Sequence, residues 1–138
     1  MKILILCTGN SARSQMAHGI LQALNADLHV YSAGTNPAKR VHPMAVKALK
    51  EFDIDISHHV PMHVDHYGKE RWDYVITVCD DAEKQCPIFK GKVKHRIHIG
   101  FEDPVQECDS KEVLLEKFKE IRNLILIEFF KLNMKSFV

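Results

Sequence analysis

Lys2 to Leu6 is an unbroken aliphatic run, the pattern of a strand buried on both faces of a parallel sheet. Gly9 and Asn10 interrupt it. From Ser14 the period becomes helical, with Met16, Ala17, Ile20, Leu21 and Leu24 forming one apolar stripe. Leu28 to Ala33 reads as a second strand, closed by Gly34 and the Asn36-Pro37 turn signal. Pro43 suits the first turn of a helix whose apolar face is Ala45, Val46, Leu49 and Phe52. Ile54 to Pro61 is extended or loop, and a weaker helix is expected to follow up to Arg71. Tyr74 to Val78 and Lys94 to Ile99 give a third and a fourth strand. A loop from Gly100 to Ser110 leads to the longest helix, Lys111 to Leu132, with Val113, Leu114, Phe118, Ile121, Leu124, Ile125 and Phe129 available for burial. A frayed C-terminus is expected beyond it.

Strands alternating with helices predict an α/β fold: a three-layer sandwich around a central four-stranded parallel sheet, forming one catalytic domain over residues 1–138. In such sheets ligands bind beyond the carboxyl ends of the strands. Cys7, Cys79 and the Asp103 loop each follow a predicted strand, so all three are expected at the same edge.

Charge narrows the choice of partner. The formal net charge of +1 has acids and bases interspersed, which gives no reason to expect a nucleic acid or an anionic membrane. The opening apolar run is too short for a signal peptide, and the run from Leu124 to Phe130, broken by Glu128, is too short for a membrane span. A cytoplasmic monomer is expected. In that reducing compartment Cys7, Cys79, Cys86 and Cys108 read as catalytic, redox or metal-binding residues before structural bridges.

The richest chemistry lies between the first strand and the first helix, in Cys7-Thr8-Gly9-Asn10-Ser11-Ala12-Arg13-Ser14. A loop of this length entering a helix can turn several backbone N–H groups around one tetrahedral anion. Arg13 adds a planar fork matched to two anion oxygens. The helix N-terminus and Arg13 both favour the thiolate of Cys7, which is the nucleophilic form. Gly9 eases the turn, Asn10 is placed to hold the loop by hydrogen bonds, and Ser11 or Ser14 can donate to the thiolate. Attack by Cys7 must expel a poor leaving oxygen, which calls for a proton donor on the opposite side. Asp103, stiffened by Pro104, is the candidate.

Cys7 to Ala17 resembles the active-site loop of the thioredoxin-coupled arsenate reductases, which share their fold with the low-molecular-weight tyrosine phosphatases. Val30-Tyr31-Ser32-Ala33-Gly34, Phe52 to Ser57, Val78-Cys79-Asp80-Asp81-Ala82 through Cys86-Pro87, and Gly100 to Pro104 are similar to that family as well. Gln15-Met16 leans to the reductases, because the phosphatases usually place a proline there. The resemblance implies a low-molecular-weight phosphatase-like fold and reduction of arsenate to arsenite, with no cofactor. It assigns the acid role to Asp103. It further implies a relay in which Cys79 attacks the Cys7–arsenate adduct and Cys86 then attacks Cys79, with thioredoxin reducing the final Cys79–Cys86 disulfide.

Geometry constrains that last exchange. Residues seven apart in a helix are separated by about 10 Å along its axis, whereas a disulfide needs α-carbons within roughly 7 Å. A helix over Asp80 to Gln85 would therefore have to unwind on oxidation. Cys108 lies outside the matched motifs and is expected to have no essential role. A zinc site built from Cys79, Cys86, Cys108 and a histidine lacks finger-like spacing. His58, His59 and His63 to His66 read as loop and helix-surface residues. Some reductases of the family hold a potassium ion near the loop, partly through an acidic residue after Met-Ala. Here that position is His18, expected to be a partly exposed helix residue, and Val60-Pro61-Met62 supplies no carboxylate, so no metal requirement is expected.

The runner-up is a phosphatase on phosphotyrosine or small aryl phosphates, acting through a Cys7 phosphocysteine. Phosphatase chemistry needs one thiol and water, whereas reduction needs two electrons from thiols. Val105 follows Asp103-Pro104, where phosphatases usually carry an aromatic residue, and this favours the reductase. A non-enzymatic oxyanion-binding or redox-sensing module is the third reading. The presence of nucleophile, arginine and acid together argues against it.

Overall fold

The protein is described by a computed structural model covering residues 1–80, 87–105 and 110–138. In chain order the main elements are strand β1 (Lys2–Cys7), helix α1 (Arg13–Leu24), strand β2 (His29–Gly34), helix α2 (Pro43–Lys50), strands β3 (Arg71–Thr77) and β4 (Lys92–His98), and helix α3 (Lys111–Leu132). The sheet is parallel throughout, in the order β2-β1-β3-β4. The chain leaves β1 towards one side and later returns to pair on the other. The crevice beyond the end of β1 is thus the switch point at which open α/β sheets bind ligands.

The uninterrupted aliphatic character of β1 reflects its position. Ile3 and Ile5 face a core shared with the helices, while Leu4 and Leu6 face a second core on the opposite side. All four are fully buried. The first core gathers Met16, Ile20 and Leu21 of α1, Ala45 and Leu49 of α2, and Phe118, Ile121, Ile125 and Phe129 of α3. The second is smaller and aromatic. Trp72 and Phe89 pack there with Tyr31 and Tyr67, the latter from a single 3-10 turn at Val64–Tyr67. The sheet is therefore the middle of three layers.

Helix ends follow local chemistry. The His42 ring accepts the Met44 N–H at 3.1 Å and Pro43 fills the first turn of α2, while Ser110 Oγ accepts the Val113 N–H at 3.2 Å to start α3. Arg122, buried in α3, donates to the Ala48 carbonyl of α2 at 2.8 Å and lies over the Phe52 ring. Among the described residues no helix is long and apolar enough to cross a membrane.

Four expectations need correction. The weaker helix before Arg71 is only the Val64–Tyr67 turn, because Gly68 ends it and Tyr67 is drawn onto Trp72. Val113 and Leu124 are half exposed rather than buried. A helix of 22 residues presents more apolar positions than the 12 and 8 residues of α1 and α2 can cover. Phe52 falls beyond the end of α2 and is also exposed. The C-terminus is not frayed: Asn133–Phe137 continues as a π-helical turn. Phe137 packs edge-on against Tyr74, and Asn25 Nδ2 donates to Asn133 Oδ1 and to the Phe137 carbonyl.

Candidate active site

Cys7 ends β1, almost fully buried, with Gly34 as its register partner on β2. The backbone then circles into α1. The Thr8, Gly9 and Ser11 carbonyls accept from the backbone N–H groups of Asn36, Ala38 and His42 at 2.9, 2.9 and 2.8 Å. With those oxygens committed to the strap over 36–42, N–H groups are what the loop has left to offer an anion. Asn10 turns the chain with φ of +48°, a left-handed conformation in which asparagine is one of the few tolerated non-glycine residues. Its side chain is held at both ends: Oδ1 accepts from Met62 N at 2.9 Å and Gln15 Nε2 at 3.2 Å, and Nδ2 donates to Ser14 Oγ at 2.9 Å.

A cleft of about 600 Å³ opens over this loop, lined by Cys7 through Arg13, with Asn36, Asp103 and Val105 completing its wall. Arg13 is buried, and its Nη1 donates to the Phe101 carbonyl at 3.0 Å. Its Nη2 lies 3.9 Å from Asp103 Oδ2. Asp103 is half exposed, and its Oδ1 accepts the Val105 N–H at 2.9 Å, so its turn is fixed while its other oxygen faces Arg13. Phe101 in turn donates its N–H to the Val78 carbonyl, tying the Asp103 loop to the residue just beyond β3. Among the described residues, Thr8 Oγ1 is the buried side-chain polar atom with no hydrogen-bond partner, and it belongs to the cleft-lining loop.

Val78 extends the β3 ladder by donating to the Leu6 carbonyl at 3.0 Å, which puts Cys79 beside the end of β1. Cys7 and Cys79 belong to the same buried core cluster. Cys79 is fully buried and is not among the residues that line the cleft. Thr8, Gly9, Asn10, Ser11, Ala12 and Arg13 line the cleft, whereas Ser14 is buried and hydrogen-bonded to Asn10. Cys86 and Cys108, and the helix expected up to Gln85, lie outside the described residues.

Several supporting residues were not legible from spacing. Asn36, read only as a turn signal, lines the cleft. His18 is partly exposed on α1, as expected, but it is also engaged: its Nδ1 lies 2.9 Å from Ser32 Oγ and its ring stacks on His59 at 4.4 Å. Burial, followed by the neighbouring His59, pushes the His18 pKa down to about 3, against the opposing pull of the Val30 carbonyl. His59, expected at the surface, has Nδ1 2.9 Å from Gln15 Oε1.

A parallel α/β sheet whose switch point carries a cysteine, an amide-rich loop and a buried arginine defines a class of oxyanion-handling thiol proteins. The chain belongs to the low molecular weight phosphotyrosine protein phosphatase family, whose model matches residues 2–132. It is 44% identical over 126 residues to arsenate reductase 1 of Staphylococcus saprophyticus, covering 85% of this chain and 95% of the relative. It is also 44% identical to an arsenate reductase of Staphylococcus xylosus over 134 residues, 95% and 96% of the two chains. A solved arsenate reductase in a phosphate-binding state superposes with a TM-score of 0.80 at 29% identity, covering 97% of each chain.

Proposed function

We propose that the protein reduces arsenate to arsenite, with Cys7 as nucleophile, Arg13 and the loop amides as the oxyanion cradle, and Asp103 as the acid. The observation that carries this reading is the meeting of Cys7, Arg13 and Asp103 around one cleft, with Cys79 buried in the same core just beyond the neighbouring strand. The arsenate reductases to which the chain is similar supply the substrate.

In the first step the Cys7 thiolate forms a sulfur–arsenic bond and an arsenate oxygen leaves as water, taking a proton from Asp103. Arg13 and the loop amides hold the remaining oxygens, with the Thr8 hydroxyl a further donor within the loop. Cys79 then attacks the Cys7 sulfur. The sulfur–arsenic pair stays with arsenic, which leaves as arsenite, and a Cys7–Cys79 disulfide remains. Cys86 attacks Cys79 and frees Cys7. A dithiol reductant of the thioredoxin kind takes up the oxidising equivalents from the Cys79–Cys86 disulfide. Burial of Cys79 supports its role as the second thiol, since it reacts only with a sulfur brought to it from within the protein.

The experiment is arsenate-dependent NADPH consumption with thioredoxin and thioredoxin reductase, comparing wild type with Cys7→Ser, Cys79→Ser and Cys86→Ser. Each substitution is expected to stop cycling. The second reading, phosphatase action through Cys7 alone, rests on the family's own description. It would be supported by wild type that is inactive with arsenate yet hydrolyses aryl phosphates, with Cys79→Ser and Cys86→Ser fully active.

A further inference from the structure

Beneath the cleft runs a chain of polar side chains that none of the steps above employs. Gln15, buried in α1, donates from Nε2 both to the Asn10 carbonyl and to Asn10 Oδ1, each at 3.2 Å. With its amino group spent on oxygens, its Oε1 must accept, so the contact with His59 Nδ1 at 2.9 Å is donated by the imidazole. That fixes the tautomer of His59, with its proton on Nδ1. His59 stacks on His18 at 4.4 Å with 30° between the ring planes, and His18 is anchored at Ser32 Oγ on β2. The groups facing His59 are His18 from α1 and, on its own loop, His58 and Asp55. Burial, followed by His58, holds its pKa below the ordinary value while Asp55 pulls the other way, so the neutral ring makes these contacts at pH 7.

We propose that His59, braced by His18, is a positioning residue of the anion loop: it fixes Gln15, which holds Asn10 in the left-handed conformation on which the loop depends. The physical reason is strain. A left-handed non-glycine residue costs about 1 kcal/mol or more and persists only where its surroundings over-determine it. Asn10 receives that support from Met62, Ser14 and Gln15. Of these, Gln15 is oriented by a partner beyond the loop. Without the His59 donor, the buried Gln15 oxygen has no acceptor role to hold its amide in place, and the carboxamide can turn over and release Asn10. The loop then divides its time among conformers, and oxyanion affinity falls by the fraction no longer competent.

The inference rests on the reading of this loop as an oxyanion site, so the test uses inorganic phosphate as probe. Phosphate affinity is measured by calorimetry at pH 7 for wild type, His59→Phe, His59→Asn and Gln15→Met, with arsenate kinetics alongside. His59→Phe keeps a ring on His18 but has no donor, and phosphate affinity is expected to drop about tenfold. KM for arsenate rises with it, while kcat changes less than threefold. His59→Asn restores an N–H donor and is expected within about threefold of wild type. Gln15→Met cuts the same link one residue nearer the loop and reproduces the tenfold loss, whether or not His59→Phe folds. Unchanged phosphate binding in His59→Phe or Gln15→Met, or His59→Asn as weak as His59→Phe, overturns the inference. Failure of wild type to bind phosphate overturns the oxyanion reading and this inference with it, so the two failures are distinguishable.

Discussion

Gly34, at the end of β2, approaches the backbone of Thr8 so closely that a β-carbon there would sit 2.3 Å from the Thr8 carbonyl oxygen and 3.1 Å from the Asn10 nitrogen. The neighbours are main chain, which cannot swing aside as a side chain can. Cys7 and Gly34 are register partners, so the strain would fall on the first residues of the anion loop. Gly34→Ala is expected to destabilise the fold by about 3 kcal/mol, near the upper end for overpacking. Urea unfolding checks the stability, and arsenate turnover is expected to fall more than tenfold. Wild-type stability and turnover in Gly34→Ala would show that the loop yields easily.

Asp103 shares one oxygen with the Val105 N–H and presents the other to Arg13. Asp103→Asn keeps the acceptor that fixes the turn but cannot release a proton to the leaving oxygen. Turnover with arsenate is expected to fall about a hundredfold, the lower range for loss of a general acid. Phosphate affinity should hold within a few-fold, because the cradle on Arg13 and the loop is untouched. A loss of less than threefold in single-turnover arsenate reduction would remove Asp103 from the mechanism.

His18 makes stability depend on pH. Its folded-state pKa of about 3 lies well below the 6.5 of an unfolded chain, so the unfolded state binds the extra proton across that interval. The stabilisation is present in full above pH 6.5 and is lost as pH falls towards 3, by up to about 1.4 kcal/mol per unit. His42 and His59 are depressed by burial as well and add to the same slope. Urea midpoints measured from pH 7 to pH 4.5 are expected to fall steadily for wild type and less steeply for His18→Gln. Parallel slopes would assign the acid sensitivity to other groups.

The sequence was informative where the decisive interactions are local. The aliphatic run of β1, the Cys7–Arg13 spacing and the full extent of α3 all follow from short-range pattern. Asp103 could be placed because its turn is a dipeptide signal. What pattern could not show is long-range. The strap over 36–42 that takes the loop carbonyls joins residues about thirty apart, and nothing in Asn36, Ala38 or His42 announces it. His59 reaches Gln15 across 44 residues. The exposure of Val113 and Leu124 was hidden for another reason: periodicity tells which residues share a face, not how far the neighbouring helices extend along it.

The strand that carries Cys7 is an interior one, flanked by β2 and β3. Synthesis proceeds from N- to C-terminus, so the reactive thiol leaves the ribosome ahead of the elements that surround it. Both of its neighbouring strands, and the Phe101 carbonyl that orients Arg13, are still to come. Until residues 101–103 have been translated the cysteine has neither an oriented Arg13 nor an acid. The thiol is therefore made well before its surroundings are complete, and nascent chains halted midway would carry an unguarded cysteine.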